Sequence, residues 1–236
     1  MNFITVNDYE TLSRMAADII CSVVNENPRA VLGLATGSSP LGTYAEIVKR
    51  NKTGEIDLSG VLSVNLDEYI GLGEESDQSY RYFMNKNLFE KVNIDINNTR
   101  VPSGLASDPS AECKSYDKYI ESLGGTDIQL LGIGLDGHIG FNEPDDHFTK
   151  ETHVVSLDPS TIKANARFFE SEDDVPRYAI TMGMGAIMSS KKILLIANGQ
   201  SKKEILEKAF YGSITPLVPA SILQLHPDVT VIFSEN

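Results

Sequence analysis

Residues 128–144 read IQLLGIGLDGHIGFNEP, and this stretch decides the fold. It begins with an apolar run, Ile128 to Ile133, that predicts a buried strand. Glycines then alternate with an acid, a histidine and a second acid, namely Asp136, His138 and Glu143. Glycine lets the backbone turn sharply, and a histidine between two carboxylates can move protons near neutral pH. The local pattern also fits a glycine-rich turn with solvated polar residues, so the rest of the chain has to decide between the two interpretations.

The alternation of apolar runs with helix-like segments continues along the whole chain. Five apolar runs predict strands at 30–35, 61–66, 128–133, 193–197 and 229–233. Five segments predict helices at 8–25, 41–50, 79–89, 109–123 and 202–210. This order predicts an α/β fold: an open, mostly parallel sheet with helices on both faces, in a Rossmann-like three-layer sandwich. Because no repeat and no Pro/Gly/Ser-rich linker interrupts the sequence, residues 1–236 are expected to form a single domain.

Composition excludes several classes of protein. The chain of 236 residues is 41% hydrophobic and carries a net charge of -13. Such an acidic balance argues against broad binding to nucleic acid or to anionic membranes. No apolar run approaches the roughly 18 residues of a membrane span, and residues 1–8 lack the basic and apolar regions of a secretory signal. Cys21 and Cys113 stand apart from any Cys/His cluster, so we expect a reduced, cytoplasmic setting.

Four unusual stretches lie at or just beyond the ends of predicted strands. They are Thr36-Gly37-Ser38-Ser39, Asp67-Glu68, the segment from Asp136 to Glu143, and Gly199-Gln200-Ser201-Lys202. In open α/β sheets, ligands bind outside the carboxyl ends of the strands. The shared position therefore predicts one site to which all four stretches contribute.

The stretch Thr36-Gly37-Ser38-Ser39 suits a phosphate group. Hydroxyls, a flexible backbone and a helix N-terminus occur together there. The same residues also fit a plain helix cap, with Ser38 or Ser39 as the capping residue and Pro40 at the first helical position. The stretch is neither a P-loop nor a dinucleotide-binding fingerprint. Lys202, at the predicted start of a helix, is better placed than most lysines to meet a phosphate.

The remaining titratable residues support fewer kinds of chemistry. Asp67 or Glu68 can serve as a general base at a strand end, although capping of a turn or helix is the commoner use of such residues. His147, His153 and His226 lack the spacing of metal ligands, so no metal and no other cofactor is predicted. A serine triad has no support either, because Gly-x-Ser-x-Gly does not occur.

Taken together, these residues resemble the glucosamine-6-phosphate deaminase family over nearly the whole chain. The matching motifs occur in family order and are Ala35–Pro40, Asn65–Tyr69, Gly134–Pro144, Ala166–Phe169, Gly199–Lys202 and Leu223–Pro227. The motif at 134–144 is highly specific, whereas the phosphate loop alone is not.

The resemblance implies a reaction, in which glucosamine 6-phosphate and water give fructose 6-phosphate and ammonia. It implies that Asp67 is the general base that moves a proton between C2 and C1 through an enolamine. It implies that His138 helps to open the sugar ring and that Asp136 and Glu143 orient this histidine. The phosphate site of the family matches Thr36, Gly37, Ser38, Ser39, Arg167 and Lys202.

The resemblance also implies a lid, and the sequence departs from the longer family members. The segment of about 149–178 is expected to close over the substrate with Arg167 on it, although an ordinary helical connection is the alternative. Longer members are hexamers activated by N-acetylglucosamine 6-phosphate, with a C-terminal extension and a basic stretch after the Asn-Glu-Pro motif. This sequence has no extension and carries Glu151-Thr152-His153-Val154-Val155 at the matching stretch. We therefore expect a short enzyme without allosteric activation, either monomeric or weakly associated.

Two other functions are compatible with the same architecture. A 6-phosphogluconolactonase shares the Asp-Gly-His element, but it favours Asp-Glu-Arg where this chain has Asp67-Glu68-Tyr69, and it lacks the Gly-Phe-Asn-Glu-Pro continuation. A non-catalytic sugar-phosphate sensor domain usually accompanies a DNA-binding segment, and the sequence contains no basic helix-turn-helix arm. Because all four of the implied catalytic residues are present, the deaminase is the favoured prediction.

Overall fold

The computed structural model describes residues 1–157, 162, 166, 169, 171 and 175–236. Its strands are β1 Asn2–Val6, β2 Val31–Leu34, β3 Leu62–Asn65, β4 Asp67–Tyr69, β5 Thr99–Arg100, β6 Ile128–Leu131, β7 His153–Ser156, β8 Tyr178–Thr181, β9 Ile193–Asn198 and β10 Val229–Ser234. Its α-helices are α1 Tyr9–Glu26, α2 Leu41–Thr53, α3 Tyr80–Asn87, α4 Pro109–Ser122, α5 Met184–Met188 and α6 Lys203–Tyr211. Short 3₁₀ helices lie at Phe89–Lys91, Ile96–Asn98, Gln200–Lys202 and Pro219–Leu225.

Seven strands form one parallel sheet in the order β1-β10-β9-β6-β2-β3-β5. Every residue of β2 and of β6 is buried, as expected when both faces of a parallel sheet are covered. The direction of strand addition reverses between β2 and β6, and a crevice for ligands opens at such a point. The predicted fold class is confirmed.

Local capping explains where several of the predicted helices begin and end. Asp8 accepts the Thr11 N–H at 2.7 Å and starts α1. Asp108 accepts two N–H groups at the start of α4, where Pro109 takes the first helical position. Helix α2 ends at Gly54, whose φ of 76° lies in the left-handed region. The five predicted helices are all present, and their observed ends lie close to the predicted ones.

A second, antiparallel sheet has the order β4-β8-β7. The strand predicted at 61–66 is β3, and Asp67 and Glu68 lie just beyond its end, in the separate strand β4, which was not predicted. Leu66 links the two sheets. Its N–H donates to the Leu34 carbonyl at 3.2 Å, and its carbonyl accepts the Met182 N–H at 2.6 Å. The change of hydrogen-bonding partner at Leu66 turns the chain out of the main sheet.

A second apolar cluster lies beside the antiparallel sheet. Its buried members are Tyr69, Phe141, Leu157, Ile162, Val175 and Ala179. The predicted lid, at about 149–178, contributes Leu157 and Val175 to this cluster, and β7 lies within it. Arg167 lies outside the described residues. The lid stays a prediction, as does the assignment of residues 1–236 to a single domain.

Two further expectations can be compared with the described residues. None of their helices is long and apolar enough to cross a membrane. Cys21 and Cys113 are buried and free of disulfides.

Candidate active site

The histidine loop follows β6 and depends on its glycines. Gly134 donates its N–H to the His138 carbonyl at 2.9 Å and closes the turn. A Cβ on Gly134 would stand 2.3 Å from His138 Nδ1 and 2.7 Å from Asp136 Oδ1. Real Cβ atoms do not come so close, so glycine is required for the ring and the carboxylate to lie where they do. Gly137 and Gly140, with φ of 96° and 60°, supply the left-handed turns on either side of the histidine.

The loop brings His138 between the two predicted acids. His138 Nδ1 lies 2.8 Å from Asp136 Oδ1 and 3.4 Å from Glu143 Oε2. Burial opposes the charged imidazole, but the contacts with Asp136 and Glu143 outweigh burial and raise the pKa of His138 to about 9. Burial likewise opposes the charged Asp136, and its contacts with His138 hold the pKa of that carboxyl well below its ordinary value. Since the acids hold Nδ1, Nε2 is the ring nitrogen left for a substrate.

The same three side chains have the spacing of a cation site. Ligand atoms of Asp136, His138 and Glu143 lie within 4.8 Å of one another. A metal ion would have to displace the proton of an imidazole whose pKa is raised to about 9. A proton and a metal ion would therefore compete for the same three side chains.

Asp67 lies in β4 and faces this loop. Its Oδ2 is 3.6 Å from the position that a Cβ on Gly140 would occupy. Only 6% of Asp67 is exposed. Burial and the neighbouring charge of Glu68 raise the pKa of Asp67 to about 8, against the opposing effect of His138. A carboxylate with a raised pKa is a stronger base than a solvated one.

Glu68 has a different environment from its neighbour. Its carboxylate accepts the backbone N–H groups of Tyr69, Tyr80 and Arg81 at 2.8, 2.9 and 2.9 Å. Two of these donors belong to the first turn of α3, so Glu68 caps that helix. Burial raises the pKa of Glu68 to about 7, although the three N–H groups favour its charged form. Of the two uses left open by the sequence, capping fits Glu68, and Asp67 remains as the candidate base.

The loop after β2 is held by Tyr9. The Tyr9 hydroxyl lies 3.1 and 3.0 Å from the carbonyl oxygens of Ser38 and Ser39 and accepts the Gly42 N–H at 2.8 Å. The interpretation of Ser38 or Ser39 as a helix cap was wrong: the N-cap is Pro40, and it makes no side-chain cap hydrogen bond. Tyr9 accepts a helix N-terminal donor that a capping side chain would otherwise satisfy.

The polar groups of this loop are placed for a ligand. Within the described part of the chain, neither serine hydroxyl makes a hydrogen bond, and Gly37 and Ser38 are exposed. Thr36 is half-buried, and Gly37 turns the chain with a φ of 94°. A loop of this kind at the start of a helix such as α2 is suited to an anion.

Lys202 lies on the other side of the histidine loop. Its Nζ donates to the Ile133 carbonyl at 2.6 Å, directly before that loop begins. Burial lowers the pKa of Lys202, whereas the nearby charge of Asp136 raises it. Strands β2, β6 and β9 are neighbours in the sheet, so the loops that follow them share one edge. The loop after β2, the histidine loop and Lys202 thus lie at one edge of the sheet, whereas Arg167 lies outside the described residues. The role of these residues in binding a phosphate stays a prediction.

A cavity of about 400 Å³ lies between the Glu143 segment and β7. Glu143, Asp145, His147 and His153 are among its lining residues, whereas Asp67 and His138 are not. Glu143 therefore borders this cavity and also contacts His138.

Comparison with known proteins decides the family. The sequence profile described as "Glucosamine-6-phosphate isomerases/6-phosphogluconolactonase" matches residues 8–232. The chain belongs to this family. The glucosamine-6-phosphate deaminase of Lachnoclostridium phytofermentans is 62% identical over 232 residues, with 98% of each chain covered. The deaminase of Clostridium perfringens is 52% identical over 236 residues, with 100% of this chain and 98% of the relative covered.

Solved structures of this family agree with the sequence matches. A monomeric glucosamine-6-phosphate deaminase is 46% identical and superposes with a TM-score of 0.97, covering 99% of this chain and 97% of its own. A 6-phosphogluconolactonase from Shewanella baltica shares the fold alone, with 20% identity and a TM-score of 0.77 over 100% of this chain and 98% of its own. The resemblance inferred from the motifs is confirmed.

Two residues beside the site had no place in the sequence prediction. Tyr9 lies at the start of α1, far along the chain from the loop that it holds. Thr181 ends β8, which pairs with β4 beside Asp67. The run Tyr178-Ala179-Ile180-Thr181 is typical of a strand, so β8 could have been predicted from these residues. Neither residue type is diagnostic of a site by itself.

Proposed function

We propose that this chain is a glucosamine-6-phosphate deaminase, which converts glucosamine 6-phosphate and water to fructose 6-phosphate and ammonia. The observation that carries the proposal is the placement of a buried carboxylate, Asp67, opposite a histidine flanked by two acids. The deaminase relatives at 62% and 52% identity support the same substrate. The reaction belongs to amino sugar catabolism, and we place it in the cytoplasm.

The first step is opening of the pyranose ring. His138 gives a proton from Nε2 to the ring oxygen as the C1–O5 bond breaks, and the C1 hydroxyl gives its proton to water and becomes the aldehyde. A histidine with a raised pKa holds that proton at neutral pH, because Asp136 and Glu143 stabilise the imidazolium. The two acids also keep Nδ1 occupied, which directs Nε2 to the sugar.

The second step moves one proton between neighbouring carbons. The ionised form of Asp67, which is the minor form below its pKa of about 8, takes the proton from C2. The C1 oxygen takes up a proton from water at the same time, which leaves an enolamine with its double bond between C1 and C2. Asp67 then returns the proton to C1, and the nitrogen on C2 becomes an imine. Water adds to C2 and ammonia leaves, which gives fructose 6-phosphate. The low exposure of Asp67 supports this role, since a shielded carboxylate keeps the proton that it carries.

The phosphate anchors the substrate away from the reacting carbons. The hydroxyls of Ser38 and Ser39, the loop N–H groups and the Lys202 ammonium are the groups available to it, and we assign Arg167 to the same role. Binding energy from such a remote group is used to orient C1 and C2 against Asp67. The 6-phosphogluconolactonase alternative has less support, because hydrolysis of a lactone needs no transfer between C1 and C2 and its structures share only the fold.

The decisive test is release of ammonia and fructose 6-phosphate from glucosamine 6-phosphate by metal-free protein. We expect equal amounts of the two products from the wild type. Asp67→Asn removes the base and is expected to lower kcat by about 10²- to 10⁴-fold. Glu204→Gln, at an exposed position on α6, is the control for a lost carboxylate and should leave kcat unchanged. A folded wild type that releases neither product, but hydrolyses 6-phosphogluconolactone, would contradict the proposal.

A further inference from the structure

Thr181 occupies the junction between the strand of the general base and the rest of the second sheet. It is the last residue of β8 and is fully buried. Its backbone pairs with Asp67 of β4 on one side and with His153 of β7 on the other. The next residue, Met182, donates its N–H to the Leu66 carbonyl at 2.6 Å. The end of β8 thereby fixes the chain at Asp67 and directly before it.

The Thr181 side chain connects this strand to the histidine loop. Its hydroxyl accepts the Phe141 N–H at 3.0 Å, and Phe141 lies between His138 and Glu143. Gly140 packs in the same place, because a Cβ added to it would stand 3.0 Å from Thr181 Oγ1 and 3.6 Å from Asp67 Oδ2. The contact therefore lies where the loop approaches the general base.

Met182 adds a second connection in the same direction. Its carbonyl accepts the Asn142 side-chain N–H at 2.9 Å, and the same amide donates to the Ile139 carbonyl at 2.9 Å. The loop from Ile139 to Asn142 is thus attached to the end of β8 by two hydrogen bonds, one from the Phe141 backbone N–H and one from the Asn142 side chain. Asp67 lies in β4 of the second sheet and His138 lies in the loop after β6, and the end of β8 contacts both β4 and that loop.

We propose that Thr181 is a positioning residue, whose hydroxyl sets the distance between the histidine loop and Asp67. The inference rests on the proposed function for its kinetic consequences. The general base and the ring-opening histidine act on adjacent parts of one sugar, so both must fit the same substrate pose. A misplacement of about 1 Å at such a site can lower the rate by about 10²-fold. The phosphate loop is not among the described contacts of Thr181, so binding of the phosphate should be little affected.

The test compares Thr181→Val with Thr181→Ser. Valine keeps the size and the strand preference of threonine but leaves the Phe141 N–H without its acceptor. Serine keeps the acceptor. Thr126→Val is the matched control, because Thr126 is equally buried and its hydroxyl bonds to Ser190 Oγ at 2.8 Å, in a different part of the molecule from the histidine loop.

For Thr181→Val we expect kcat to fall by about 10- to 100-fold with KM within about twofold of the wild type. Thr181→Ser should restore most of kcat. Thr126→Val should lower the Tm but keep kcat within about twofold of the wild type, which separates positioning from stability. A Thr181→Val enzyme with wild-type kcat, or a Thr181→Ser enzyme as slow as Thr181→Val, would overturn the proposal.

A second readout does not depend on turnover. Amide hydrogen exchange at Phe141 should be faster in Thr181→Val than in the wild type and in Thr181→Ser, whereas exchange at Val31 should not change. If the wild type lacks deaminase activity but Phe141 exchange still depends on the hydroxyl, the proposed function fails and the positioning contact stands. Unchanged exchange at Phe141 in Thr181→Val would contradict the positioning role of Thr181, whether or not the protein has deaminase activity.

Discussion

At the scale of single residues, the site is governed by two titratable groups that both hold protons above their ordinary pH range. Burial is the main cause of the raised pKa of Asp67, and the two paired carboxylates raise the pKa of His138. The acid–histidine–acid order was predictable from the sequence, because Asp136, His138 and Glu143 are neighbours along the chain. The raised pKa of Asp67 was not predictable, because it depends on burial by residues that are distant in sequence.

The pH dependence of stability should expose the raised pKa of Asp67. The folded protein keeps this proton up to about pH 8, whereas the unfolded chain releases it near 3.8, so the folded state binds more protons between these values. Stability therefore falls as pH rises through this window, by up to about 1.4 kcal/mol per pH unit for one proton. Asn at position 67 has no proton to lose, so Asp67→Asn should gain stability relative to the wild type as pH rises.

Thermal or urea unfolding between pH 4.5 and 6.5 measures this difference. The contribution of His138, whose pKa is raised from 6.5 to about 9, is fully present below pH 6.5 and so does not change across the window. Glu68 titrates in both proteins, and its effect cancels in the comparison. Parallel stability curves for the two proteins would show that Asp67 has an ordinary pKa.

At the scale of elements, the long ones were predictable and the short ones were not. Strands such as β6 and β10 are continuous apolar runs, and helices such as α1 combine a capping residue with an amphipathic pattern, so both stand out in the sequence. Strand β4 has three residues and β5 has two, which is too few for a period to appear. Strand β4 is polar and yet buried, because its environment comes from a second sheet that the pattern did not predict.

The contact between α1 and the start of α2 gives a prediction for substrate binding. Tyr9→Phe removes the hydroxyl that lies against the carbonyls of Ser38 and Ser39 and accepts the Gly42 N–H. One lost hydrogen bond is worth about 0.5–1.5 kcal/mol, so we expect KM for glucosamine 6-phosphate to rise about 2- to 10-fold while kcat changes little. Inhibition by inorganic phosphate should weaken by the same factor.

Tyr211→Phe is the control for this prediction. Tyr211 is exposed and lies at the end of α6, so removal of its hydroxyl should change neither constant. A fall in kcat at constant KM in Tyr9→Phe would argue that this tyrosine acts on the reacting carbons rather than on the phosphate loop.

At the scale of the whole molecule, the position of the site follows from the order of the strands. Four sequence stretches were expected to meet because each lies at or beyond a predicted strand end, and the sheet places three of them at one edge. Asp67 lies instead in the second sheet, which the sequence pattern did not predict. The acidic net charge of -13 favours separate molecules over self-association.

Monomeric behaviour without an effector is the prediction at this scale. Light scattering should give a mass near 25.8 kDa, and N-acetylglucosamine 6-phosphate should change neither this mass nor the apparent KM. Residues 151–155 contain no Arg or Lys, and the Thr152 N–H and hydroxyl are already bound to Asp117. The adjacent cavity includes Glu143 and Asp145, which repel an anion. A severalfold fall in apparent KM with the effector would refute the prediction.

The pairing of β1 with β10 has a consequence for how the protein is made. Residues 2–6 leave the ribosome more than 200 residues before their partners at 230–234. Strand β1 must stay unpaired with β10 during that interval, since contacts this distant along the chain form late. The pairing of β1 with β10 can form only after residues 230–234 have been synthesised. A stalled or prematurely terminated chain would therefore expose the edge of β9 that β10 covers in the finished molecule, and an uncovered edge of that kind is where aggregation begins.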